Sequence, residues 1–136
     1  MITKTALLRK TSVFLNDFSD AGNVWKCFNE EYQWETSDYE TPTMPKHLKI
    51  IYADYTFEDY SGDAYVLGYD KQKKQFFEVH GGHCSCYGLE GQWEPEYYED
   101  WKVLSACIEK RLAVQDDYYR RTQSSKELSE FLEVVK

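Results

Sequence analysis

Residues 48–80 read LKIIYADYTFEDYSGDAYVLGYDKQKKQFFEVH, and this stretch decides the fold. Leu48 to Phe57 is rich in Ile, Tyr and Thr, with Ile51, Ala53, Tyr55 and Phe57 recurring at period two, the spacing of one face of a strand. Glu58 to Asp63 carries Asp, Ser and Gly, the residues of a turn. Ala64 to Tyr69 alternates Tyr65, Leu67 and Tyr69 against Ala64, Val66 and Gly68, which predicts a strand covered on both sides. Asp70 to Lys74 makes a second turn. Gln75 to His80 reads as a third strand, with Phe77 and Val79 on one side and Phe76 opposite. Three strands joined by short turns predict an antiparallel meander.

Outward from this centre, Gly81, Gly82, Gly88 and Gly91 mark an irregular loop. Pro95 then suits the first turn of a helix whose opening acids, Glu94, Glu96, Glu99 and Asp100, complement its dipole. Trp101, Leu104, Ile108 and Leu112 share one face of that helix. Ser124 to Glu127 reads as a capping box before Leu128, Phe131, Leu132 and Val135 at helical spacing, so a second helix packs on the sheet. Toward the N-terminus, Thr5 to Leu8 reads as a short strand and Asp20 to Tyr32 as a helix, whereas Thr41 to Pro45 breaks regular structure. The expected architecture is one α+β domain over residues 1–136, an antiparallel meander of three or more strands with helices packed on one side. A chain of 136 residues buries enough surface to fold as one unit without staples.

Charge narrows the function. The net charge of −8 is unevenly spread, at −1 for residues 1–50, −8 for 51–100 and +1 for 101–136. Direct binding to phosphate backbones is therefore disfavoured, and a basic protein surface, such as that of a nucleic-acid-binding protein, is the expected partner. Acids alternate with tyrosines in Asp54-Tyr55, Asp59-Tyr60 and Tyr97-Tyr98-Glu99-Asp100, a mixture of stiff contact area and oriented charge. The candidate contacts are Asp54, Glu58, Asp59, Asp63, Glu96, Glu99 and Asp100. No apolar run is long enough to span a membrane, and the early charges of the N-terminus do not fit a secretory leader, so the expected address is the cytoplasm. Tyrosines at the surface also allow a homodimer.

The segment His80-Gly81-Gly82-His83-Cys84-Ser85-Cys86 concentrates metal-ligand and nucleophile chemistry. His80, His83, Cys84 and Cys86 are the candidate zinc ligands, although the spacing departs from paired ligands separated by two to four residues. A Cys–His hydrolase is the companion reading, but adjacent side chains tend to diverge, and no catalytic residue is assigned. The structural alternative is small buried cysteines in a glycine-rich turn, with no cofactor. The stretches Asp59 to Leu67 and Phe77 to Pro95, the latter carrying His83-Cys84-Ser85-Cys86-Tyr87-Gly88-Leu89-Glu90-Gly91-Gln92-Trp93, resemble a group of small, largely uncharacterised bacteriophage and prophage proteins. The resemblance spans residues 48–112 and brings no catalytic assignment. It implies an accessory protein that works by binding, such as an acidic inhibitor of a host or defence nucleic-acid-handling enzyme.

Overall fold

A computed structural model describes residues 2–29, 44–58, 61–83, 88–118 and 123–135; within these, the side chains of 57, 58, 61, 114–118 and 123–125 are not described. Its centre is a five-stranded sheet in the order β1-β2-β3-β4-β5, formed by Val13–Asn16, Leu48–Glu58, Ser61–Asp70, Gln75–His83 and Glu96–Tyr98. The predicted meander is β2, β3 and β4, paired antiparallel. β5 extends it antiparallel beside β4, while β1 lies parallel to β2. A parallel neighbour needs a crossover, and α2 (Ala21–Asn29) lies in it. The fold is α+β.

The β3–β4 turn and the start of α2 have local causes. Asp70 Oδ1 accepts from the backbone N–H groups of Gln72 (2.9 Å) and Lys73 (3.1 Å), shaping the β3–β4 turn, and Lys74 closes it in the left-handed region at φ 56°. Asp20 Oδ1 caps α2 by accepting from Asn23 N at 2.7 Å, and Asn23 Oδ1 accepts in return from Ser19 N at 3.1 Å. α2 ends at Asn29 among the described residues; the rest of the predicted helix, to Tyr32, and the break at 41–43 lie outside them.

Three local expectations are corrected. Thr5 to Leu8 is not a strand but part of α1 (Lys4–Arg9), because Thr3 accepts from Ala6 N at 3.1 Å and caps it. The helix expected from Pro95 begins instead at Trp101 as α3 (Trp101–Tyr118), where Asp100 Oδ1 accepts from Val103 N at 2.8 Å. Residues 96–98 pair with β4, since a strand there places the Tyr98 hydroxyl against a buried carboxylate. In β2 the period-two face is interrupted at Ile51: Ile50 pairs with Gly68 and Tyr52 with Leu67, so Ile51 is the extra residue of a bulge.

The sheet is covered on both sides. Leu7 of α1, then Trp101, Leu104, Ile108 and Leu112 of α3, and Leu128, Phe131, Leu132 and Val135 beside and within α4 (Gln123–Val134) pack over Tyr52, Leu67, Tyr69 and Phe76. Both predicted C-terminal helices thus present their apolar faces to one side of the sheet. The other side, Ile50, Ala53, Val66, Phe77 and Val79, is covered by Phe18, Val24 and Phe28 around α2 and by Leu89 and Trp93 of the glycine-rich loop. Gly68 of β3 has no room for a side chain. A Cβ there would stand 2.4 Å from Phe77 Cζ and 2.7 Å from the Lys49 carbonyl oxygen.

Candidate functional site

On the α3 side, alternation along β4 brings Glu78 and His80 to the same face as Tyr65, its cross-strand neighbour on β3. Glu78 is 1% exposed. A buried carboxylate is costly unless its oxygens are satisfied, and here they are. Oε2 accepts from the Tyr65 hydroxyl at 2.8 Å and from Arg111 Nη2 of α3 at 2.5 Å, while Oε1 accepts from the Tyr98 hydroxyl of β5 at 3.0 Å. Arg111 Nη1 reaches on to His80 Nε2 at 2.8 Å. Three strands and a helix are therefore tied through one carboxylate.

The electrostatics follow from that geometry. Burial alone would raise the Glu78 pKa, but the His80 ring 3.6 Å away, hydrogen bonds from Arg111 and Tyr65 and the Arg111 charge outweigh it and bring the value from 4.5 down to about 2. Burial, followed by the Glu78 charge, pushes Tyr65 well above an ordinary tyrosine, and burial together with the bond to Glu78 pushes Tyr98 up to about 12. Arg111 would be lowered by burial, yet its hydrogen bond and charge pairing with Glu78 raise it. Glu78 thus stays ionised and Tyr65 and Tyr98 stay neutral at ordinary pH, which makes the cluster a fixed charge pair with a half-exposed rim, Arg111 at 41% and His80 at 50%.

A depressed carboxylate contributes stability that is complete above its unfolded value and disappears as pH falls through its folded value. Acid unfolding followed by circular dichroism is therefore expected to steepen between about pH 4.5 and 2. Glu78→Gln flattens that part of the curve; an unaltered slope in the variant would place the acid sensitivity elsewhere.

The opposite side carries a smaller polar pair. Tyr55 of β2 and His83 of β4 are hydrogen-bonded through the tyrosine hydroxyl and Nε2, with Phe18 at 5.2 Å from the Tyr55 ring. Burial, then the nearby Cys27, Asp17 and Glu90, pushes Tyr55 up to about 12. A Cβ on Gly62 would lie 2.5 Å from His83 Nε2 and 2.8 Å from Tyr55 Cε1, so this pair requires glycine across from it. Beyond β5, the Gln92 side chain lies along β4: its Oε1 accepts from Gly82 N at 2.9 Å, and its Nε2 donates to Gly82 O at 2.8 Å and to Gly88 O at 2.9 Å.

The sequence-predicted residues separate accordingly. Asp54 is 1% exposed, accepting from Asn16 Nδ2 at 2.6 Å, and so adds nothing to an outer surface. Beside it the Tyr52 hydroxyl is buried with no hydrogen-bond partner among the described residues; burial, then the charges of Asp54, Glu127 and Glu130, push Tyr52 far up. Glu96, Glu99 and Asp100 are exposed around β5 and the start of α3. Asp63 is also exposed, but it stands opposite Gly82 while Glu96 stands opposite Glu78. Four residues along a strand separate them by ~13 Å. The Glu58 side chain and Asp59 lie outside the described residues.

His80 and His83 point to opposite sides of the sheet, one toward Arg111 and the other toward Tyr55. An odd spacing within a strand forces this, so the two histidines do not share a site. Cys84 and Cys86 lie outside the described residues, among which no group of three or more His, Cys, Asp or Glu side chains is placed to hold a metal ion. Cys27 of α2 is partly buried, and Cys107 of α3 is exposed. No helix among the described residues is long and apolar enough to cross a membrane.

Reading by residue type missed Glu78, Arg111, Tyr65 and Tyr98. Glu78 left one signal, a single acid between Phe77 and Val79 and opposite in alternation to them, on the same side as the apolar Phe76. Comparisons with protein-family models, with curated proteins and with solved structures gave no match.

Proposed function

We propose that this chain acts by binding, as a phage-type accessory protein that sets exposed carboxylates against a basic protein surface. The observation that carries the reading is the run Glu94, Glu96, Glu99 and Asp100, all exposed, along the edge strand β5 and the start of α3. Residues 75–101 contain no Lys or Arg, and Lys73 of the β3–β4 turn is engaged over the Tyr97 ring at 3.9 Å. Tyr97 and Tyr98 are half-buried and anchored in the sheet, so the acids stand on rigid backbone with aromatic surface between them. A surface that ordinarily holds nucleic acid is the complementary partner, and inhibition of such an enzyme is the form of action this chemistry supports.

Asp100 caps α3 and Asp54 is buried, so neither is a clean test. Reversing Glu94, Glu96 and Glu99 together to lysine is expected to weaken a partner captured from a bacterial lysate by roughly ten- to a hundredfold, mainly through slower association. The wild-type affinity should also fall as salt is raised. Binding that ignores both the reversal and the salt, measured by surface plasmon resonance with the fold verified by circular dichroism, overturns the reading.

A further inference from the structure

His80 Nε2 lies 2.8 Å from Arg111 Nη1 and 3.6 Å from Glu78 Oε1. A guanidinium only donates, so the shorter contact requires an unprotonated Nε2 and hence a neutral imidazole with its hydrogen on Nδ1. Adding a proton reverses the local chemistry. Nε2 then becomes a donor that cannot accept from Arg111, two cations stand in contact, and the new N–H faces the nearest carboxylate oxygen, Glu78 Oε1. That oxygen already receives the Tyr98 hydroxyl at 3.0 Å, and the same hydroxyl has a second acceptor 3.5 Å away in Glu96 Oε2.

We infer that His80 is a proton-operated latch between α3 and the sheet. With His80 neutral, Arg111 bridges β4 by holding both Glu78 and the imidazole. With His80 charged, Nη1 of Arg111 is released, the imidazolium turns to Glu78 Oε1, and Tyr98 passes its hydroxyl toward Glu96. The relay therefore ends on β5, at the acidic edge; its bearing on binding rests on the reading of that edge given above, whereas the latch itself does not.

The groups around His80 favour such a device. β3 contributes the Tyr65 ring at 5.2 Å and, further along, Asp63; β4 contributes Glu78, β5 contributes Glu96 and Tyr98, and α3 contributes Arg111. Glu78 stays charged across the range in which imidazoles titrate, so it remains available to receive the proton-bearing Nε2. Half of the His80 side chain is exposed, which lets solvent deliver the proton. Trp101, Leu104, Ile108 and Leu112 keep α3 buried in either state, so the change is local.

Nitrogen-15 NMR of the full chain tests this without any partner present. At about pH 8, where a free imidazole is neutral, His80 is expected as the Nδ1–H tautomer. On acidification the Arg111 side-chain signals and the Tyr98 and Glu96 amides should move together with the His80 ring signals, and amide protection near Arg111, corrected for the intrinsic slowing of exchange at lower pH, should fall about two- to tenfold, the scale of one hydrogen bond. His80→Gln keeps an acceptor for Arg111 but cannot titrate, and in it those signals should stay flat. An Nε2–H tautomer at high pH, immobile Arg111 and Tyr98 signals, or the same shifts in His80→Gln would each overturn the latch. Because no readout involves a partner, loss of the latch and loss of the binding reading are separate results.

Discussion

Replacing Arg111 by alanine is expected to cost about 3–5 kcal/mol, because it leaves a carboxylate buried without its cation. Glu78 is 1% exposed, and water entering where the half-exposed Arg111 side chain stood replaces its charge only in part. Small domains are stable by about 5–15 kcal/mol, so this one truncation removes a large part of the total. The comparison that isolates the cause is a cycle with Glu78→Gln, whose neutral side chain keeps the shape and one accepting oxygen but removes the charge. In that background the Arg111→Ala penalty should shrink to about 1 kcal/mol, the worth of packing and one ordinary hydrogen bond. Equal penalties in both backgrounds, measured by urea denaturation, would mean that Arg111 acts through packing alone.

Gly68→Ala is expected to be the next most damaging change, at about 3 kcal/mol, the upper end of overpacking costs. The added carbon would fall 2.4 Å from Phe77 Cζ and 2.7 Å from the Lys49 carbonyl oxygen. A ring tip can yield, but a backbone carbonyl beside the Ile50–Gly68 pair and the bulge at Ile51 cannot move without displacing β2. Phe77→Leu should therefore rescue only part of the loss. Full rescue by Phe77→Leu would place the whole conflict on the ring and none on the strand.

These two positions also indicate which parts of the molecule are legible in one dimension. The meander was readable because alternation and turn residues are local: Asp70 shapes its own turn, and Ala64 to Tyr69 alternates between two real cores. The apolar faces of α3 and α4 were readable for the same reason. Misreadings arose where a distant partner decided the outcome. Pro95 and the acids after it suit a helix start, yet Tyr98 finds Glu78 across the sheet and residues 96–98 become a strand. The extra residue at Ile51 is invisible to a period-two count, since a bulge depends on how β2 meets β3. The Glu78–Arg111 pair spans 33 positions, and neither residue announces the other. His80 and His83 attracted attention as a cluster because sequence distance is short, although strand geometry sends them to opposite sides.

The Gln92 amide has a wider consequence for the life of the molecule in a crowded solution. Beyond the three residues covered by β5, the outer edge of β4 would offer a peptide donor and acceptor at Gly82 to any passing strand. Gln92 answers both with the two ends of one side chain, as a neighbouring chain would, while belonging to the same polypeptide. The sheet is thereby terminated from within, and growth by adding a foreign or duplicate strand at that point must first evict a covalently tethered competitor.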